Sequence, residues 1–493
     1  ALGAHHPIVE HGYATVTFDI RGTGNSDGSN DSIYSGPERQ DGYDMIEWAA
    51  AQPWSNGNVG MWGISFGAVV ALQMASAAPP SLKAIIARSG SDDPYSEWTN
   101  PGGSPRPYMY MCYAAIMASA NFAPPDPAEV GAAWLEMWNR RLQGNVPWGV
   151  SFASHMQRDE FWQERAIMGR CDRIRCPTFV VGGWADWYPS ALLRIYSQLK
   201  CPKRALIGPW SHQWPDHGIP GPRIDWLPEA LKWFDHWLKG IDTGITREPP
   251  VTLFIRDYTI PRSIVVEDQG VFRREMEWPL ERAQATPMYL RPAGALSPEM
   301  PDAAEMDGVD LLANDPRAGI STGFHGGGPF NVNWTMPLDQ RADDRHGAIF
   351  TTPPLDAATE VTGVPRLELF VSSKVPTALL FVKLCDVAPD GKAALVTTGC
   401  LNLCHRDSHV QPSPLEPGRV YRVMFECLAC AYRFTRGHRI RVGLYRADIM
   451  NVWPTPGVGC VTLHRDHSHP SHIVLPVVPS RRPALTLPDF QRL

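Results

Sequence analysis

Val59-Gly60-Met61-Trp62-Gly63-Ile64-Ser65-Phe66-Gly67-Ala68-Val69-Val70-Ala71 is the stretch that decides the fold. Its first four residues read as a buried strand. Ala68 to Ala75 reads as a helix with few polar positions. Between them stands Gly63-Ile64-Ser65-Phe66-Gly67, a G-x-S-x-G pattern that chance alone puts in roughly one chain in six of this length. Its placement gives it meaning. A serine on a tight strand-to-helix turn presents its hydroxyl at the end of a strand, as a nucleophile must. The flanking glycines are expected because a Cβ on either side would clash in so tight a turn. The helix that follows aims its first N–H groups at the site, so the Phe66 backbone N–H is the expected oxyanion donor.

A nucleophilic serine needs a base, and the base needs an orienter, in the chain order Ser, Asp, His. Thr178-Phe179-Val180-Val181-Gly182-Gly183 reads as a strand and ends in Trp184-Ala185-Asp186. Arg204-Ala205-Leu206-Ile207 reads as the next and ends in Gly208-Pro209-Trp210-Ser211-His212. Pro189 to Leu199 has helical spacing and supplies the crossover between them. Both candidates thus sit past the carboxyl end of a strand, the edge where an open parallel sheet gathers its functional groups. Ser65, Asp186 and His212 are therefore the expected triad of an α/β-hydrolase fold. Trp187, Tyr188 and Trp210, beside the acid and the base, are the expected pocket residues.

These motifs, together with Gly12-Tyr13 through Asp19-Ile20-Arg21-Gly22-Thr23-Gly24-Asn25-Ser26-Asp27-Gly28 and Phe234-Asp235-His236-Trp237-Leu238-Lys239-Gly240, resemble the cocaine esterase and X-Pro dipeptidyl-peptidase-like group of serine hydrolases. That group includes α-amino acid ester hydrolases and glutaryl acylases. The resemblance spans nearly the whole chain. It implies Ser65 as nucleophile, His212 as general base and Asp186 as its orienter. It also implies a helical cap over the site and a C-terminal jelly roll. Members carry several strands before the Gly12-Tyr13 segment, including a tyrosine that supplies a second oxyanion donor in several of them. The chain is accordingly expected to be N-terminally truncated, with the Ala14–Ile20 strand lacking a neighbour.

Residues 1–93 alternate strand and helix signals, with Glu38 to Gln52 helical and Leu82 to Ala87 a strand, which is the doubly wound pattern. Residues 94–172 break the alternation and are rich in Pro, Met and Trp. Helical segments are expected around Tyr108–Ala120, Ala128–Leu142 and Asp159–Met168. The stripe Val130, Ala133-Trp134 and Met137-Trp138 is expected to pack between helices, with part of it lining the acyl pocket. After Gly240 the period falls to two, as in Arg366 to Ser372, and Asp390-Gly391 and Pro417-Gly418 mark turns. The expected division is a catalytic domain over 1–93 and 173–245, a helical cap over 94–172 and a β-sandwich over 246–493. The segment 297–345, with Gly326-Gly327-Gly328, is long and irregular.

Hydrophobic content of 44% and charged content of 19% describe an ordinary globular chain. A net charge of −6 gives no reason to expect nucleic acid as a partner. No run approaches the roughly 18–20 apolar residues that cross a bilayer, and a cytoplasmic location is expected. The ten cysteines form no small secreted framework. Cys400, Cys404 and His405, with Cys427 and Cys430, superficially suggest zinc, but in strand-like runs they need not face one site. His464, His467, His469 and His472 read as a solvated turn. No cofactor or metal is expected.

The leading expectation is hydrolysis of a carboxylic ester or amide through an acyl-enzyme, acyl esters first and X-Pro or acylase-type amides as the alternative. A catalytically impaired binding protein on the same fold is the other alternative. The resemblance implies that α-amino acid ester hydrolases hold a substrate ammonium with clustered carboxylates, some just after the triad aspartate. None follows Asp186, where Trp187 and Tyr188 offer flat apolar surface instead, and Asp92-Asp93 reads as a turn or helix cap, so neutral, hydrophobic or aromatic acyl groups are expected.

Overall fold

A computed structural model describes residues 6–304, 308–324, 336–457, 459–479 and 490. Five strands, β1 (Val59–Ile64), β2 (Leu82–Arg88), β3 (Thr178–Gly183), β4 (Lys203–Gly208) and β5 (Val251–Arg256), run parallel in that order, and β6 (Gly270–Glu275) adds antiparallel to β5. Every residue of β3 is buried. That explains its unbroken apolar run, because helices cover both faces of a parallel sheet. The crossovers are the helices Phe66–Ala77, Pro189–Gln198 and Leu227–Lys239. Ahead of β1 lies the helix Gly36–Ala50, whose start is fixed by a capping box between Ser35 and Glu38.

Ala14–Ile20 forms no strand. No strand pairs with it among the described residues, and Val16 and Phe18 are exposed. Its β-branched alternation is right for a strand, but an extended segment becomes one only when a neighbour accepts its N–H groups. β1 likewise pairs with β2 alone among the described residues, and all six of its residues are half-buried.

The cap is more broken than its periodicity predicts. Tyr108–Tyr113 is a wide helical turn leading into the helix Ala114–Asn121. The stretch expected as one helix over Ala128–Leu142 is three pieces, with Gly131 at φ 62° after the first. Within the stripe only Met137 is buried, and Trp134 stacks on Trp138. The last expected cap helix is short, Glu160–Arg165.

The C-terminal part is a sandwich of antiparallel strands. Arg366–Ser373 pairs with Val420–Glu426, and Leu379–Val387 pairs with both Ala393–Asn402 and Arg439–Tyr445. Alternate residues Leu367, Leu369 and Val371 point into a core shared with Val382, Leu384, Val442 and Leu444. All ten cysteines are free thiols. Cys400, Cys404 and Cys430 donate to the separate carbonyls of Pro101, Pro376 and Val361, so they face no common ion. His464, Asp466 and His469 do come together, their ligand atoms within 4.8 Å of one another. Each already has a protein partner: Ser372 Oγ meets His464 Nε2, and the Asp466 carboxylate meets His469 Nδ1. Gly326-Gly327-Gly328 lies outside the described residues.

Candidate active site

Ser65 occupies the corner between β1 and the helix Phe66–Ala77 at φ 59° and ψ −116°, a backbone conformation that L-residues adopt at a cost. Two features hold it there. Its N–H donates to the Arg88 carbonyl at the end of β2, at 2.9 Å. A Cβ on Gly63 would lie 2.5 Å from the Gly67 carbonyl carbon, so only glycine fits at that position. The expectation for the other glycine is corrected: a Cβ on Gly67 would meet nothing within 4 Å. The Phe66 N–H stands at the first helical position, where no intrahelical carbonyl can reach it.

Asp186 follows β3 and His212 follows β4. Both are buried, and His212 Nδ1 lies 3.1 and 3.0 Å from the two carboxylate oxygens of Asp186. Oδ1 also accepts from the Trp187 N–H at 2.7 Å. Oδ2 accepts from the Ser89 hydroxyl and from Arg88 Nη1. Burial pushes the Asp186 carboxyl up. The imidazole of His212, then Arg88 and Ser89, outweigh burial and hold it below the usual carboxylate value. With Nδ1 committed to the carboxylate, Nε2 is the ring atom left for chemistry. It is buried and has no hydrogen-bond partner among the described residues.

Ser65 and His212 line one narrow pocket with Tyr34, Trp98, Met109, Tyr113, Trp187 and Tyr188. No hydrogen bond joins Ser65 to His212; in unliganded sites such contacts are often long and tighten when substrate binds. Trp187 and Tyr188 stand where the sequence places them, the Tyr188 ring 5.4 Å from the His212 ring. Trp210 does not. It is fully buried away from the pocket, its Nε1 donating to the Pro222 carbonyl, and it packs over Gly208 and Gly218 where a Cβ would collide with its ring. The cap stripe is absent from the lining as well; Trp98, Met109 and Tyr113 provide the cap's wall instead. A wider depression, lined by His155, Arg158, Phe161 and Arg165 among others, contains neither Ser65 nor His212.

Four pocket residues escaped the sequence reading: Tyr34, Trp98, Met109 and Tyr113. Tyr34, at φ 55°, is buried with its ring stacked 4.8 Å from Phe66. Trp98 meets Tyr34 edge-on at 5.7 Å. Burial pushes the phenols of Tyr34, Tyr113 and Tyr188 up, so all three stay protonated at neutral pH. Asp92 is paired with Arg194, and Asp93 with Arg158. Arg106 is buried behind Trp187, its guanidinium 4.2 Å from the indole.

Two family models match consecutive parts of the chain. One, described as X-Pro dipeptidyl-peptidase (S15 family), covers residues 2–214. The other, the X-Pro dipeptidyl-peptidase C-terminal non-catalytic domain, covers residues 243–477. The chain is similar to the cocaine esterase of Rhodococcus sp. (strain MB1 Bresler), with 28% identity over 96% of this chain and 89% of that one. A putative serine esterase of Mycobacterium bovis is also 28% identical, over 96% of this chain and 84% of its own length. Among solved structures, a CocE/NonD family hydrolase from Staphylococcus aureus shares the fold, with a TM-score of 0.74 and 21% identity over 93% of this chain and 78% of that one. The chain belongs to the cocaine esterase and X-Pro dipeptidyl-peptidase family of α/β-hydrolases and is a serine hydrolase of ester or amide bonds.

Proposed function

We propose that the chain hydrolyses carboxylic esters of neutral, hydrophobic acyl groups, with Ser65 as nucleophile, His212 as general base and Asp186 as its orienter. The observation that carries this reading is the buried Asp186–His212 pair, whose Nε2 has no hydrogen-bond partner among the described residues and whose imidazole lines one pocket with Ser65. Ser65 Oγ attacks the substrate carbonyl while its proton passes to His212 Nε2. The imidazolium then protonates the leaving group, and water repeats the sequence to free the acid. The Phe66 N–H and the positive end of its helix receive the developing oxyanion.

The pocket supports the acyl preference. Its walls are aromatic and thioether side chains. The nearby carboxylates Asp92, Asp93 and Glu97 are already engaged by Arg194 and Arg158. The buried Arg106 adds positive charge behind the Trp187 wall, which disfavours a substrate ammonium. X-Pro dipeptides carry that ammonium, so esters come ahead of them. We also place the protein in the reducing cytoplasm, in keeping with ten free thiols. No helix of the described residues is long and apolar enough to cross a membrane.

Matched aryl esters with and without a free α-amino group test the substrate reading. The amine-free ester should have at least a threefold higher kcat/KM. A tenfold preference for the amine would overturn it.

A further inference from the structure

The residue that ties this site together is Arg88, the last residue of β2, whose side chain is fully buried. Its guanidinium grips the backbone on both sides of His212. Nη2 donates to the Ser211 carbonyl at 2.6 Å, and Nε donates to the Gln213 carbonyl at 2.8 Å. The remaining arm, Nη1, reaches the hydroxyl of Ser89 and lies 3.4 Å from Asp186 Oδ2. Ser89, at φ 53°, donates in turn to that same carboxylate oxygen. One planar fork therefore fixes both neighbours of the base and touches the carboxylate that orients it, a geometry that a lysine ammonium cannot reproduce.

We propose that Arg88 is a positioning residue for the His212–Asp186 pair and that its positive charge sets the lower pH limit of catalysis. The proposal rests on the reading of Ser65, His212 and Asp186 as the catalytic machinery. Positioning follows from the hydrogen bonds. Without them the loop Ser211–Gln213 loses its fixed attachment to the end of the sheet, and Nε2 is no longer held toward Ser65. The pH effect follows from charge. A free Asp186 carboxylate would stabilise the imidazolium at full strength, whereas Arg88 neutralises part of that field and so favours the neutral base. Burial brings the Arg88 guanidinium down to about 10, opposed by Asp186, which leaves it charged at neutral pH.

The other groups facing the pair differ in kind. The loop after β3 contributes the Trp187 N–H and the protonated Tyr188. From the cap side come Arg106, which acts on Tyr188 and Asp186 at longer range, and Glu97, which is paired with Arg194. Among these described groups, Arg88 is the cation bonded directly to the carboxylate.

The test is the pH profile of kcat/KM for an aryl ester with the parent enzyme, Arg88→Met and Arg88→Lys, each checked for folding by circular dichroism. For Arg88→Met we expect kcat to fall a hundredfold or more, KM to change less than threefold, and the acidic limb to move up by half a pH unit or more. Arg88→Lys keeps the charge without the fork. Its acidic limb should return to within 0.2 units of the parent while kcat stays at least fivefold low. A kcat loss with an unmoved acidic limb in Arg88→Met overturns the charge role. Should that variant not fold, Arg88→Lys decides alone: a kcat within fivefold of the parent overturns positioning, and a displaced limb overturns the charge role. Ser65→Ala run alongside separates this from the underlying reading, since activity retained there overturns the triad whatever Arg88 does.

Discussion

At the scale of single residues, the two oxygens of Asp186 serve donors on every side: the imidazole, the Trp187 N–H, the Ser89 hydroxyl and the Arg88 guanidinium. An amide in its place offers one oxygen and presents an NH₂ group to donors. Asp186→Asn should therefore leave the fold in place but hold His212 in the wrong tautomer, lowering kcat on the order of 10⁴-fold. Less than a tenfold loss in steady-state kcat would count against Asp186 as the orienter. That Asp186 would meet His212 beside the pocket Ser65 lines was legible because each of the three closes a strand-like run in a fixed chain order. Arg88 and Tyr34 were not. Arg88 falls one residue past the expected strand Leu82–Ala87, and Tyr34 lies ahead of the expected helix from Glu38. Their contacts are with side chains distant in sequence, Asp186 and Phe66. Trp210 misled for the opposite reason: proximity to His212 along the chain did not become proximity to the pocket, because two glycines open a slot for its ring elsewhere.

At the scale of elements, the helix Gly36–Ala50 starts on a capping box that buries a carboxylate. Glu38 Oε2 accepts from the Ser35 N–H, while Oε1 is buried with no partner among the described residues. Burial raises its pKa from 4.5 to about 7, against backbone donors that lower it. The folded state thus binds this proton more tightly than the unfolded chain does. Stability falls as pH rises from 4.5 toward 7 and stays low above that. A shift of that size corresponds to roughly 3 kcal/mol at most. Glu38→Gln keeps the capping acceptor and removes the charge. It should raise the urea midpoint at pH 8 and leave it nearly unchanged at pH 4.5; an equal change at both would refute the assignment. Helices with strong periodicity and clear caps were readable to within two residues. The stretch Ala128–Leu142 was not, because Gly131 interrupts a pattern whose apolar positions alone look continuous. Ala14–Ile20 carries a strand's composition, but strand formation depends on a partner that composition does not reveal.

At the scale of the whole molecule, the β-sandwich braces the pocket wall. Cys400 Sγ contacts the Pro101 carbonyl at 3.3 Å, and the Ala429 N–H donates to Ser190 Oγ at 2.7 Å, just beyond Tyr188. Gly102, at φ 59°, lies so close that an added Cβ would stand 2.2 Å from the Cys400 carbonyl oxygen. A few residues later the same chain supplies Met109 and Tyr113 to the pocket. Gly102→Val should cost at least about 2 kcal/mol through the backbone conformation and the clash. It should also lower kcat/KM more than tenfold, since the cap wall must move with the loop. Unchanged activity with reduced thermal stability would show that the sandwich is not coupled to the site. The change from helical to period-two patterning after Gly240 made the two-part organisation legible. The contact between the parts was not, because nothing in Gly102-Gly103 itself names the strand that faces it.

In the proposed mechanism Ser65 carries the acyl group. Intact-mass and peptide mapping after exposure to a fluorophosphonate, with aryl-ester hydrolysis followed in the same sample, tests it most directly. One adduct per chain is expected on the peptide containing Ser65, with loss of hydrolysis in step with labelling and no adduct in Ser65→Ala. Full hydrolysis with Ser65 unmodified, or a stoichiometric adduct on another residue that abolishes activity, would contradict it.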